Sequence, residues 1–282
     1  MNYLLKEDPD VARIIQQEEA RIENTLDLIA AENHAPRSIL EAQGSIFSTK
    51  AAEGYPGHRF HAGCIFADEL ESLAIKRAQR LFGADHANLQ PHSGVSANLA
   101  VYFSVLNVGD RILSMKLSHG GHLSHGDPSS VTSQCFHFKH YGLDAQTEQI
   151  DYDEMRDMAR AFKPQMIIAG ASSYPRLIDY QLTTDIAKSV SAYLLVDMAH
   201  IAGLVAAGVI PSPVPHADFV TFTTYKTLKG GRGGMILCKK EHARKISKTI
   251  FPGAQGTPSL NLLAAKACLL YTSPSPRDCG PD

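Results

Sequence analysis

The chain has 282 residues, 44% of them hydrophobic and 20% charged, the balance of an ordinary soluble globular protein long enough to bury a sizeable core. A formal net charge of -2 gives no electrostatic reason to expect nucleic acid or an anionic membrane as partner. No apolar run approaches the about 20 residues of a membrane span.

The N-terminus has no basic segment leading into an apolar core, so no secretory signal is read there. Five cysteines, odd in number and without CxxC spacing, read as reduced thiols, and the expected compartment is the cytoplasm. Residues 1–48 are expected to form an N-terminal helical arm. Within it Val11, Ile14, Ile15, Ala20, Ile22 and Leu26 recur at helical spacing as a narrow stripe that needs something to dock on. Residues 49–64, rich in glycine and aromatics without periodicity, read as a long functional loop, and Glu53 is its most interesting carboxylate.

From Asp68 a helix is signalled by a capping-box pair, Asp68 and Glu71, with Leu70, Leu73, Ala74, Leu81 and Phe82 on its buried face. A short strand at 87–90 then runs into Pro91-His92-Ser93-Gly94-Val95-Ser96 and a helix ending near Leu106. Strand, Ser-Gly turn and helix start together aim backbone N–H groups and a hydroxyl at a phosphate; plain N-capping by Ser93 or Ser96 is the equal alternative.

Between 110 and 223 strand-like runs (111–115, 135–138, 166–169, 193–197, 219–223) alternate with helical ones (153–162, 184–192). This predicts an α/β domain with a mainly parallel sheet and ligands at the strands' carboxyl ends, where Ser172, Asp197 and Lys226 fall. The loop His119-Gly-Gly-His122-Leu-Ser-His125 lacks a helix to align its imidazoles and a cysteine to complete a tetrahedron, so no metal is expected. A flat imidazole stacking on a planar cofactor, or a surface loop, are the readings left. Asp197 ends an apolar run and needs a cationic partner, for which a protonated pyridine nitrogen, an N-cap or a salt bridge would each serve. Lys226 stands between a buried run and a glycine-rich turn. That is the setting of a desolvated Schiff-base lysine or of a hairpin with a solvated one.

Taken in order, the blocks at 52–57 (AEGYPG), 90–94 (QPHSG), 119–126 (HGGHLSHG), 196–204 (VDMAHIAGL) and 223–228 (TTYKTL) resemble serine hydroxymethyltransferase, a fold-type-I pyridoxal phosphate enzyme, from about Leu28 to Lys266. The resemblance implies an α/β large domain of fold type I with a mainly parallel seven-stranded sheet, over residues 49–268. It implies pyridoxal 5'-phosphate held covalently by Lys226, with Asp197 on the pyridine nitrogen and His122 stacked on the ring. Ser93 and Gly94, with the Val95 backbone, would take the phosphate. Ser172 and His200 would bond around the phenolic oxygen and Asp197, with Thr223 and Tyr225 flanking the lysine. Tetrahydrofolate is the implied co-substrate. Glu53 would lie near the substrate hydroxyl and the folate and handle the proton, Leu117 and Gly121–Leu123 would line the folate site, and Gly256 would reach a partner subunit's phosphate. A homodimer or a dimer of dimers follows, with no nucleic acid or membrane as partner. The implied reaction passes a hydroxymethyl carbon from serine to tetrahydrofolate and leaves glycine.

Three positions depart from the family's pattern: Ala51 and His61 stand where it has tyrosines, and Tyr225 where it has histidine. They suggest a bulkier 2-amino-3-hydroxy acid such as 2-methylserine. A folate-independent aldolase and a catalytically incompetent cofactor-binding fragment are the other readings. The Pro/Ser-rich stretch 269–282 reads as a non-native disordered tail after a C-terminal truncation, with the family's small C-terminal domain and its carboxylate-binding arginine missing.

Overall fold

A computed structural model describes residues 2–272. Two units are distinguished, the first ending at Glu32 and the second starting at Asn33. The first holds helices α1 (Asn2–Glu7) and α2 (Pro9–Asn24). Asp8 caps α2 by accepting from Val11 N at 3.1 Å, and Ala12 is buried while Val11, Ile14, Ile15 and Ile22 are exposed.

The second unit opens with α3 (Arg37–Gln43) and a small antiparallel hairpin, β1 (Gly54–Tyr55) and β2 (His58–Arg59). Its main sheet contains β3 (His86–Asn88), β4 (Arg111–Met115), β5 (His137–Tyr141), β6 (Met166–Ala169), β7 (Tyr193–Asp197), β8 (Phe219–Thr223) and β9 (Gly234–Cys238). The spatial order is β3-β9-β8-β7-β6-β4-β5, with β8, β7, β6, β4 and β5 parallel and β9 antiparallel to both β8 and β3. This is the expected mainly parallel seven-stranded sheet.

Alternation along each strand builds two cores. Ile112, Met166, Ile168, Leu195 and Phe219 face α5 (Gly94–Val105), whose Ala97, Ala100, Val101 and Tyr102 cover them. Leu113, Ile167, Leu194, Val196 and Val220 face the other way, into a core shared with α4 (Ile65–Phe82), α7 (Tyr152–Phe162), α8 (Tyr180–Ser189) and α11 (Leu260–Thr272). The short helices α6 (Val131–Cys135), α9 (Ala202–Ala206) and α10 (Ala243–Lys248) fall between these in the chain. At the edge, β5 alternates exposed His137 and Lys139 with more buried neighbours, which protects an open strand edge. The run expected as a strand from 135 begins instead at His137, because Cys135 closes a short helix (Val131–Cys135).

Asp68 and Glu71 do not form a capping box. The helix starts earlier, at Ile65, with Cys64 as an N-cap whose side chain makes no capping bond; its thiol donates to His61 O instead, at 3.2 Å. Both acids instead grip Arg59, Asp68 Oδ1 accepting from Nε at 2.8 Å and Glu71 Oε2 from Nη2 at 2.5 Å. Arg59 Nη1 also donates to Ala52 O and Gly54 O at 2.8 Å each. Of the expected face, Ala74 and Phe82 are buried and Leu70 and Leu81 pack partly buried against the core, with Ala67, Glu71 and Ala78 beside them; Leu73 alone departs and is exposed. The 49–64 loop is thus pinned by one guanidinium whose side chain is 3% exposed, against a Glu71 side chain 1% exposed. Arg59→Met should cost about 3–5 kcal/mol, since it leaves a buried carboxylate unpaired. Urea unfolding checks this, and a loss below about 1 kcal/mol would contradict it.

Helix α11 runs to Thr272 with Leu269 and Leu270 buried, so the start assigned to the tail from sequence, 269, falls inside the last helix. The rest of that stretch, 273–282, lies outside the described residues. Cys64, Cys135 and Cys238 are free thiols. No helix among the described residues is long and apolar enough to cross a membrane.

Candidate active site

The strands deliver their polar residues to one end of the sheet. Asp197 is the last residue of β7, Lys226 follows β8 by three residues, and Ser172 follows β6 by three. Ser93 caps α5 from the opposite side, its Oγ accepting from Ser96 N at 3.1 Å and its own N–H donating to Ser96 Oγ at 2.9 Å. Both hydroxyls therefore serve the cap. Two glycines let these segments meet. A Cβ on Gly94 would lie 2.8 Å from Thr223 Cγ2, and one on Gly170 (φ +120°) would lie 2.1 Å from Asp197 O.

Between them is a cavity of about 460 Å³, its open mouth included. Ser93, Gly94, Val95, His122, Ser172, Asp197, His200, Thr223, Tyr225 and Lys226 all line it. Asn98 and His125 line it too. The strand pair β8–β9 is antiparallel, as a hairpin would be, yet Lys226 is 7% exposed. The turn that buries it is closed by Gly230 N donating to Thr224 O (2.8 Å) and Lys229 N to Lys226 O (2.9 Å). Asn33 Nδ2 reaches Lys226 O from outside at 3.0 Å.

Desolvation pulls the Lys226 amine below its usual pKa, and the nearby Asp197 charge only partly opposes it. Burial alone would push the Asp197 carboxyl up. His125, through a hydrogen bond and its charge, and Asn98, through a second hydrogen bond, outweigh that and hold it well below the usual carboxylate range. The contacts are short: Oδ2 lies 3.1 Å from His125 Nε2 and accepts from Asn98 Nδ2 at 2.9 Å, and Oδ1 accepts from Ala199 N at 3.1 Å. Asn98 is itself fixed by Thr221 Oγ1, which donates to its Oδ1 at 2.6 Å. Its Nδ2 also donates to Ser124 Oγ at 3.0 Å, and that hydroxyl lies 2.8 Å from His122 Nδ1. One amide thus links the sheet, the acid and the imidazole expected to stack.

His200 departs from its expected place. Its Nε2 is 2.9 Å from Lys226 Nζ, while the bonds to Asp197 come from His125, Asn98 and Ala199. Desolvation, then the charge of Lys226, bring the His200 imidazole down to about 4. The unfolded chain, with histidine near 6.5, therefore takes up this proton first as the pH falls. Stability contributed by a neutral His200 is full above about 6.5 and drains away towards pH 4. The thermal midpoint of the cofactor-free chain should decline through that window and decline less in His200→Asn; equal slopes would contradict it.

The residues expected around substrate and folate are not gathered in this cavity. Glu53 Oε2 lies 3.4 Å from His61 Nε2, and Glu53 lines a separate, open depression with Phe60, Phe251, Gln255 and Gly256. Leu117 and Leu123 are 48% and 51% exposed, and Gly121 is packed so that a Cβ would lie 2.4 Å from Met115 O. Among the described residues no three His, Cys, Asp or Glu side chains converge on one point as ligands would. The loop's left-handed Gly120 (φ +111°) separates two single-turn helices, sending His119 to Leu143 N (2.9 Å) and His125 to Asp197.

Asn98 and His125 are the site residues the sequence reading did not assign. Asn98 stands on the otherwise apolar buried face of α5, and that mismatch was the available signal.

A sequence model of the family described as SHMT, serine hydroxymethyltransferase, matches residues 4–277. The chain belongs to the serine hydroxymethyltransferase family. It is 57% identical over 266 residues to a protein named serine hydroxymethyltransferase from Coprothermobacter proteolyticus, covering 94% of this chain and 64% of that protein. A serine hydroxymethyltransferase from Desulforapulum autotrophicum is 56% identical over 269 residues, covering 95% of this chain and 65% of its own length. The chain thus spans less than two thirds of the length of these serine hydroxymethyltransferase relatives.

Proposed function

We propose that the cavity holds pyridoxal 5'-phosphate and that the protein carries out hydroxymethyl transfer between serine and tetrahydrofolate. The observation that carries this is the buried Lys226 amine facing an ionised, hydrogen-bonded Asp197 across one cavity. The donor set suits the cofactor. Thr223 Oγ1 is buried beside Gly94 with no partner, and the first turn of α5 presents backbone N–H groups where a phosphate would sit. When bound, the protonated pyridine ring withdraws electrons from the substrate's α-carbon and makes bond cleavage there accessible.

The rest falls to the chain. Lys226, whose amine desolvation draws below its usual pKa, is the nucleophile that anchors the cofactor, and His200 at 2.9 Å is placed to take up or return the Nζ proton. Asp197 stays ionised and would keep the ring nitrogen protonated, while His125 and Asn98 fix its orientation. His122, held through Nδ1, would stack on the ring. Ser93, Gly94 and the Val95 N–H would hold the phosphate, and Ser172 would bond to the phenolic oxygen. Glu53 and Gly256 lie together on an outer depression beside exposed Phe60. This supports a homodimer in which they complete a partner's cavity, Glu53 as the proton handler near the substrate hydroxyl and the folate, and Leu117 and Leu123 on the folate side.

Adding pyridoxal phosphate should produce a visible absorption band. Serine with tetrahydrofolate should then give glycine. A band without turnover would reduce the chain to a binding fragment, and acetaldehyde from allo-threonine without folate would favour an aldolase. No band at all overturns the reading. A 2-substituted serine such as 2-methylserine is the second reading. It is favoured by Ala51, small and exposed two residues from Glu53, and by Tyr225 on the cavity wall beneath Arg232 (4.5 Å). Strong preference for plain serine over 2-methylserine would remove it.

A further inference from the structure

Lys266, in α11, is a second deeply buried lysine and takes no part in the chemistry above. It is 3% exposed, and its Nζ lies 2.6 Å from Leu89 O, 3.0 Å from Pro91 O and 2.8 Å from Gly234 O. The carbonyls come from the end of β3, the turn before Ser93 and the first residue of β9. Among the described residues no carboxylate pairs with the amine: Glu71, the acid whose charge it feels, is engaged by Arg59 and Gln90.

Three acceptors need three N–H groups, which the ammonium has and the neutral amine lacks. Burial opposes that charge and draws the amine's pKa down to about 7. A buried ammonium without an acid partner is costly unless an anion lies close. The start of α5 adjoins the carbonyls that hold this amine. Pro91 O accepts from Gly234 N (3.0 Å) as well as from Lys266, and a Cβ on Gly234 would lie 2.1 Å from Ser93 O and 3.2 Å from Gly94 N. The same stretch holds the other depression in place, since Gln255 Nε2 donates to Gln90 O (2.9 Å) and His92 N to Gln255 Oε1 (3.2 Å).

We propose that Lys266 is a positioning residue for the anion at the start of α5: its ammonium ties the Leu89–Ser93 turn to β9 and supplies counter-charge from beneath. The proposal rests on reading the Lys226 cavity as a pyridoxal phosphate site. By linkage, a bound phosphate favours the ammonium and the ammonium favours the phosphate, an effect that pyridoxal, lacking the phosphate, does not feel.

The test compares binding of pyridoxal phosphate and of pyridoxal, by absorbance and fluorescence, in the parent and in Lys266→Met. The preference for the phosphorylated form should fall about tenfold in the variant. An unchanged preference overturns the proposal, whatever happens to overall stability. If the parent binds neither compound, it is the cavity reading that fails. The parent alone gives a second measurement that does not depend on the variant folding. With lysine side chains labelled with ¹⁵N, Lys266 should appear as an exchange-protected ammonium resonance that shifts on adding pyridoxal phosphate or inorganic phosphate and not pyridoxal. A neutral amine, or a resonance indifferent to phosphate, overturns the proposal.

Discussion

Lys226→Gln should abolish covalent retention of pyridoxal phosphate. Borohydride treatment of the parent should fix the cofactor to the peptide containing residue 226, and in the variant to none. Reversible binding should persist but weaken by about 100-fold, roughly 3 kcal/mol for a lost covalent link. The result discriminates because the chain buries two lysines. Lys266 is also pulled down in pKa by burial, but its Nζ is spent on three carbonyls. Lys226 Nζ faces the cavity and, among the described residues, has the His200 imidazole, 2.9 Å away, as its hydrogen-bond partner. Labelling at 266 in place of 226 would show that desolvation alone selects the nucleophile, and the site as drawn would be wrong. Glutamine is chosen over alanine because it fills much of the same volume, which limits loss of packing around the buried side chain.

The elements that position the site were readable where the signal is local. An apolar run followed at once by an acid placed Asp197 at a strand end, and a buried run before a glycine turn did the same for Lys226. Both signals come from the chain's immediate neighbours. What the sequence did not yield depends on residues far apart in the chain. Asp68 and Glu71 carry the spacing of a capping box, yet that spacing cannot tell whether the acids reach a helix terminus or an arginine nine and twelve residues upstream. The resemblance implied that His200 bonds around the phenolic oxygen and Asp197; its ring instead meets Lys226, a neighbour 26 residues on in the chain.

Asn98 and His125 illustrate the same limit from the functional side. His125 lies in a motif weighed only for metal or stacking, and its partner Asp197 is 72 residues away. Asn98 bridges to Thr221 across 123 residues, a pairing that exists only once α5 lies against β8. Lys266 carries no local mark at all: within an apolar helix it reads as one solvated residue, and only the convergence of three carbonyls makes it a cage.

Asp197→Asn should leave cofactor attachment largely in place and damage what the attached cofactor can do. The amide has the shape of the carboxylate but no charge, so nothing compensates a proton on the ring nitrogen. Turnover should fall about 10²–10³-fold, the scale on which removal of one preorganised electrostatic partner is felt. The bound cofactor's absorption maximum should move as the nitrogen loses its proton. The cofactor-free chain gives a second readout with a definite sign. The parent carboxyl is held well below its unfolded value by His125 and Asn98 against the cost of burial. Its stabilising contribution is therefore present above about pH 4 and is lost as the pH falls below that. The variant should lack this acid limb while keeping the decline between about 6.5 and 4 that His200 produces. If the spectrum and the acid limb of Asp197→Asn both match the parent, the carboxylate is not the ring's partner, and His125 and Asn98 orient it for some other purpose.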